Sequence, residues 1–369
     1  MSTLYFELTN FTEWLLGLVA SLLDWTKLGF LSDFGDWLQT GPVVTVVSTL
    51  LVVLIFLITA MMFGLCFIWE ERKFLGRFMD RRGTQVGLLG FFQNFADGIK
   101  VVLKEHIVPK DSDHALFEMA IFSYLAATFM LFGCIPFSDN FYVINVDLAV
   151  LLGIAIFSFG PFSILVGGWA SNNKFTLIGG MRAAAQLIAL EIPLLLCVVS
   201  VVVMTGELSF TGIVGWQEEN IWLIFPLIIG AVTFFVAAVG ESERIPFDLP
   251  EAEAELVEGW ATEYGDVRWG LQMASDYFRA YILCGLFTML FLGGWSGPEF
   301  IWAEAWYLAK TFIVFFFFIW VRAATVRIRT DQILKMGWRR LLPLAVLNLF
   351  IAIAFQLSGW SLSLAEVFP

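Results

Sequence analysis

Histidine is almost absent from this chain, and the scarcity closes off several kinds of chemistry. The two present, His106 and His114, fall in one charged connector, so no pair on facing helices exists to hold a haem. Cysteine is scarcely more common. Cys66, Cys134, Cys197 and Cys284 each stand alone in an apolar stretch, with neither CxxC nor ferredoxin spacing, and read as small buried hydrophobes. No metal-ligand set and no redox centre is expected. No glycine-rich loop follows a strand, and Gly179-Gly180 merely precedes a hydrophobic segment, so a nucleotide site is not expected either. The N-terminus lacks a basic region ahead of an apolar run, which speaks against a cleavable signal, and its acids speak against a transit peptide. Positive charge is also in deficit: 21 Lys and Arg against 33 Asp and Glu give a net charge of −12, the wrong sign for a nucleic-acid partner.

What the chain has in abundance is apolar length. With 59% hydrophobic residues and a mean hydropathy of +0.82, it is not a water-surrounded globule. Crossing about 30 Å of hydrocarbon takes roughly 20 apolar residues. Eight stretches qualify, at about 43–69, 116–137, 148–170, 183–205, 221–240, 277–295, 303–324 and 341–357. Each is expected to be helical, because a helix satisfies its own backbone in lipid, and the alternating pattern of a membrane barrel is missing. Charge supports the count independently. The connectors after spans 1, 3, 5 and 7, taken with the last turn of span 7, hold eight, two, two and six Lys and Arg, 18 of the 21 in the chain. An even number of spans fits that alternation, and by it these connectors are expected in the cytoplasm and both termini outside.

Residues 11–30 are interrupted by Glu13, Asp24 and Lys27, while Trp14, Leu18, Leu22 and Trp25 recur at helical spacing, as in a helix lying in the interface. The organisation is therefore an interfacial extension at 1–40 and one transmembrane domain at 41–369, with cytoplasmic loops at about 70–115, 171–182, 241–276 and 325–340. The fold class is all-α and polytopic.

Ionisable residues inside lipid-soluble segments are expensive, and those that persist usually function. Span 4 carries Arg182, Gln186 and Glu191. The first two are four apart and share a face; Glu191 points to the opposite face and needs a cation from another span, a wet cavity or a proton. Pro193 just beyond it is a candidate kink. Lys310, near the outer end of span 7, is expected to snorkel to the interface. The loop ESERIPFDLPEAEAELVEGWATEYGD at 241–266 is more unusual, with nine carboxylates and only Arg244 and, just beyond, Arg268 to compensate them. Asp248 and Glu251 around Pro250 look like a helix start, which would set Glu251, Glu255 and Glu258 on one face. Trp260, Tyr264 and Trp269 imply that this loop folds against something. Carboxylates crowded together raise one another's pKa and share protons.

Five segments together resemble one family, the quinone-site membrane subunit of respiratory complex I, known as subunit 1 or H. They are WEERK at 69–73, FADGIKVVLKE at 95–105, GWASNNKFTLIGGMRAAAQ at 168–186, GESERIPFDLPEAEAELVEGWATEYGDVRWG at 240–270 and VRAATVRIRTDQILKMGWRRLLP at 321–343. The resemblance implies eight transmembrane helices, five of them in a bundle like half of an antiporter. It implies a tunnel through which quinone, menaquinone or phenazine reaches an iron–sulfur cluster held by neighbouring soluble subunits on the cytoplasmic side. Small membrane subunits and antiporter-like subunits would adjoin it in the lipid. The positions matching the family's acidic proton path are Glu191, Glu241, Glu251 and Glu253, with Glu255 beside them, and Asp276 where relatives usually carry Glu. Those matching the tunnel are Arg72, Lys100, Trp269, Tyr277, Arg322 and Arg327. The stretch RRGTQVGLLGFFQ at 81–93 lacks the two Gly-Pro pairs usual in relatives, so the tunnel mouth is expected to be shaped differently.

The implied role is a membrane subunit of a proton-pumping NADH or other donor:quinone oxidoreductase in a prokaryotic cell membrane, with an organellar or thylakoid membrane as the other setting. A reading from a different class stays open, in which the carboxylates serve an ion-translocating or anchoring subunit of a membrane hydrogenase or antiporter complex without quinone chemistry.

Overall fold

The computed structural model describes residues 41–139, 142–143, 146–248, 256–298 and 301–358. The interfacial helix expected near the N-terminus, and Glu251, Glu253 and Glu255 with the helix start expected around Pro250, lie outside the described residues. Among those described, every regular element is helical: α1 (Gly41–Phe78), α2 (Phe92–Val102), α3 (His114–Cys134), α4 (Ala149–Phe157), α5 (Phe159–Ala170), α6 (Lys174–Thr205), α7 (Phe210–Glu219), α8 (Ile228–Glu241), α9 (Asp266–Phe291), α10 (Ala303–Ala324), α11 (Thr330–Met336) and α12 (Leu342–Leu357). Six of these bodies are long and apolar enough to cross a membrane, namely α1, α3, α4 with α5, α6, α10, and α11 with α12. The protein is thus a multi-pass membrane chain. Rows of exposed Leu50, Val53, Leu54, Leu57 and Ile58 on α1 would be a liability in water and suit a lipid face.

Two helices sit at the core of the packing. One is α6, against α5, α8 and α12; the other is α9, against α1, α3 and α10. Asn173 caps α6, accepting from the Phe175 amide at 3.1 Å, and Gly206 ends it in the left-handed conformation at φ 74°. The helix continues through Pro193 instead of breaking there. Proline has no N–H for the carbonyl four residues back, that of Ala189. Against that carbonyl sits Gly337, in a π-helical turn at Gly337–Leu341 between α11 and α12, where a Cβ would fall 2.6 Å from the Ala189 oxygen.

Several boundaries move for identifiable reasons. The third expected span is divided at Ser158, because Pro161 in the first turn of α5 has no amide to offer the Phe157 carbonyl. The fifth begins as a helix only at Ile228, and the irregular stretch before it is held by Gln217. This buried amide accepts from Leu223 N at 3.2 Å and Gly293 N at 3.1 Å and donates to Met289 O at 2.8 Å. The sixth begins at Asp266, so Asp276 lies inside helix α9 and not in a loop. Lys310 does not snorkel outward. It is buried, and its ammonium donates to the carbonyls of Leu292 (2.7 Å), Gly294 (3.0 Å) and Ser296 (2.7 Å) beyond the end of α9, a cation placed where the helix dipole is negative.

Candidate functional site

The acidic loop after α8 folds back into the protein. Gln186 on α6 donates to Phe247 O at 2.8 Å, Ile328 N donates to Pro246 O at 3.1 Å, and Arg327 pairs with Asp248 at 3.0 Å, so the connectors after α8 and after α10 are stitched together. Trp260 and Tyr264 are buried as expected, with the Tyr264 hydroxyl donating to Phe117 O at 3.0 Å and its ring stacked on Phe117 at 4.1 Å.

This folding brings ionisable groups from six helices and the loop itself into one buried seam. At one end Glu71 on α1 receives both Arg322 of α10 and Arg244 of the loop, the latter at 3.0 Å. Arg244 lies over the ring of Tyr277, 4.1 Å from its centroid. The residue before it, Asp276, accepts from the hydroxyl of Tyr124 on α3 at 2.7 Å. One helical turn along, Arg279 pairs with Glu241 at the end of α8 and lies 4.6 Å from the ring of Phe157. Glu191 on α6, within electrostatic reach of Glu241, accepts from Ser158 at the α4–α5 break. Glu243 is buried beside Asp276 and Arg279. The seam therefore holds five carboxylates, Glu71, Glu191, Glu241, Glu243 and Asp276, against three guanidiniums, Arg244, Arg279 and Arg322. Burying unmatched charge is costly, so the low-energy form of such a cluster retains protons.

Glu243, in the loop outside the spans, shows that effect. Burial pushes its carboxyl up to about 8, Asp276 pushes the same way, Arg279 opposes and Asp248 adds to the rise. A carboxyl protonated in the folded state and ionised in the unfolded one loses stability as pH rises from its ordinary value of about 4.3 toward 8. Thermal melts of the purified protein should fall across that window, and Glu243→Gln should flatten the slope; an unchanged slope would contradict the assignment.

Beside the seam lies a cleft of about 410 Å³ between α1, α2 and α9. Its walls are apolar, with Met61, Leu65 and Ile68 on one side, Phe95, Ile99 and Val102 on another, and Tyr277 and Phe278 on the third. Asn94 contributes one polar edge. Tyr277 belongs to both cleft and seam, so a molecule in the cleft would touch the ring on which Arg244 rests.

Of the residues singled out from sequence, Glu191, Glu241 and Asp276 are in the seam and Tyr277 joins it to the cleft. The cations behave differently from free anion-binding groups. Arg72 is tied to Asp97 and to Asn94 Oδ1, the latter at 3.1 Å; Arg322 is held by Glu71, and Arg327 by Asp248. Lys100, with a side chain 76% exposed, reaches only to 3.9 Å from Asp97. Trp269 is half-buried with the Lys104 ammonium 5.7 Å over its ring. Sequence reasoning passed over Arg279, Glu71, Tyr124 and Ser158. Arg279 was findable, as a cation three residues after Asp276 in an apolar helix; single hydroxyls such as Tyr124 and Ser158 carry no such signal.

Helices that keep paired acids and guanidiniums inside the bilayer define a class, the polytopic membrane proteins in which buried charge does work. Within it, residues 50–353 match the family model described as NADH dehydrogenase. The chain is 44% identical over 289 residues to the H subunit of the NADH-quinone oxidoreductase of Bacillus cytotoxicus, covering 77% of this chain and 86% of that protein, and equally so to those of Bacillus thuringiensis and Bacillus cereus. The chain belongs to the NADH dehydrogenase family, that of subunit 1 or H of respiratory complex I.

Proposed function

We propose that this chain forms the quinone-access passage of a complex I-type NADH:quinone oxidoreductase and couples quinone reduction to proton movement. The observation that carries the reading is the apolar cleft sharing Tyr277 with the acid-rich seam. An isoprenoid tail fits walls of Met, Leu, Ile and Phe, and a quinone ring fits beside tyrosine. Electrons come from an iron–sulfur cluster in adjoining soluble subunits; this chain positions the ring and manages charge. Because Arg72, Arg322 and Arg327 are each already paired, negative charge arriving on a headgroup competes with a carboxylate for its guanidinium. The displaced carboxylate then takes a proton. At an effective dielectric of 20, a charge about 6 Å away is worth roughly 3 kcal/mol, about two pKa units, enough to reprotonate a site. Protons pass along Asp276, Glu243 and Glu241 to Glu191, with Glu251, Glu253 and Glu255 extending the path.

The architecture that goes with this role has eight spans, α8 and α9 completing the six that qualify by length and hydropathy. Five form the half-antiporter bundle, and 1–40 lies as an interfacial extension on a single domain at 41–369. Both termini face outward from a prokaryotic cell membrane, with antiporter-like subunits alongside. Relatives named for quinone chemistry weigh against the carrier reading.

Gly98 tests the passage directly. It lines the cleft on α2, and a Cβ there meets nothing within 4 Å. Gly98→Trp should place an indole in the cleft from a position where its Cβ meets no neighbour and raise the KM for long-tailed quinone by about tenfold or more in membranes with normal complex content. An unchanged KM would reject this cleft as the route.

A further inference from the structure

Helix α2 is held at both ends, and the cluster around His106 at one of them has no part in the seam or the cleft described above. Toward α1, Arg72 grips Asp97 and Asn94, and Asn94 Nδ2 donates to Leu65 O at 2.9 Å. Toward α9, Val101 packs on Gly270, Lys104 covers Trp269, and the connector leaving α2 ends in a four-residue cluster. There His106 Nδ1 lies 2.8 Å from Asp266 Oδ2 and 3.0 Å from Arg268 Nη2. Arg268 is buried. It also donates to Ile107 O at 2.9 Å and to Glu118 on α3 at 2.8 Å, while its own amide donates to Asp266 Oδ1 at 2.9 Å. Asp266 is itself held at φ 57°, a conformation unfavourable for a side-chain-bearing residue that these bonds keep in place.

We infer that His106, with Asp266, Arg268 and Glu118, is a latch that positions α2 as the outer wall of the cleft and thereby sets the affinity for the tail of its ligand. The inference rests on the reading of that cleft as the quinone passage. Residues on the last turn of α2, Ile99 and Val102, and Leu103 just beyond it are cleft wall, while His106 is the third residue past Leu103. Releasing His106 loosens the wall at its far end, leaving there only the packing of Val101 on Gly270, Lys104 over Trp269 and the Arg268 bond to Ile107 O, while the Arg72 anchorage and the seam stay intact. The histidine is the part of the latch that tests well, because its side chain is 64% exposed and its removal leaves no cavity, whereas Arg268 and Asp266 are buried.

In membranes containing the assembled complex, His106→Ala should raise the KM for a long-tailed quinone about three- to tenfold, with kcat and the KM for a short-tailed analogue nearly unchanged. His106→Asn, whose amide offers both a donor for Asp266 and an acceptor for Arg268 near the place of Nδ1, should restore the KM. An oxidised disulfide between cysteines introduced at Val101 and Gly270 should restore it in the alanine background, and reduction should undo the rescue. Equal KM changes for long and short tails, or a KM unaffected by His106→Ala while Gly98→Trp still blocks access, would overturn the latch. Loss of both effects would instead remove the passage itself.

Discussion

Replacing Arg279 with methionine is expected to prevent the subunit from accumulating in assembled form. Methionine matches the length of the stem and can pack against Phe157, yet it leaves Glu241 fully buried without its paired cation and Glu243 without the guanidinium that opposes its burial. Breaking a buried pair from one side costs about 3–5 kcal/mol, set against a total stability of about 5–15 kcal/mol for an ordinary domain. Thermal denaturation and native-gel quantification of the complex would show it. The companion change Glu241→Gln in the same chain should recover part of the loss, since it removes the orphaned charge; a double variant no better than the single one would mean that Arg279 acts through other partners.

The second large effect is on coupling and not on assembly. Glu191 accepts from Ser158, a neutral donor, and no ion pair to it is present among the described residues. Glu191→Gln keeps that geometry and leaves no cation stranded, so the complex should assemble at normal levels. What glutamine cannot do is bind and release a proton. Coupled quinone reduction and pumping should fall about tenfold or more, the scale at which a positioned proton-transfer group contributes. Membrane vesicles assayed for quinone reduction and for acidification in parallel would report both, and full pumping at normal turnover would rule Glu191 out of the path.

How far the sequence carried this reading depends on what each residue announces. Long apolar runs and loop charges disclosed a helical membrane protein, because lipid leaves few ways to satisfy a backbone. Glu191 and the crowded loop acids stood out as carboxylates in the wrong solvent. Helix ends were less visible. The late start of α8 depends on where Gln217 spends its hydrogen bonds, and the early start of α9 on Asp266 and Arg268, neither of which shows in hydropathy. Pairing was the least legible. The resemblance sets Arg72, Arg322 and Arg327 at tunnel positions without their partners, and each holds an acid from a distant segment, Asp97, Glu71 and Asp248 respectively. Such partnerships come from tertiary contact, and one chain of letters does not state which carboxylate will face which guanidinium. Lys310 was misjudged likewise, since the carbonyls it gathers become neighbours only when the stretch beyond α9 turns back.

The meeting of Pro193 with Gly337 has a mechanical meaning. Within the body of α6, Pro193 releases the Ala189 oxygen from the helical ladder, two residues before Glu191, with only a hydrogen atom on the facing glycine between the two backbones. Nothing compressible separates them. Any push on the π turn is therefore delivered to the peptide two residues before Glu191 before it is spread through side chains. Backbone against backbone makes that junction a rigid strut leading to the carboxylate.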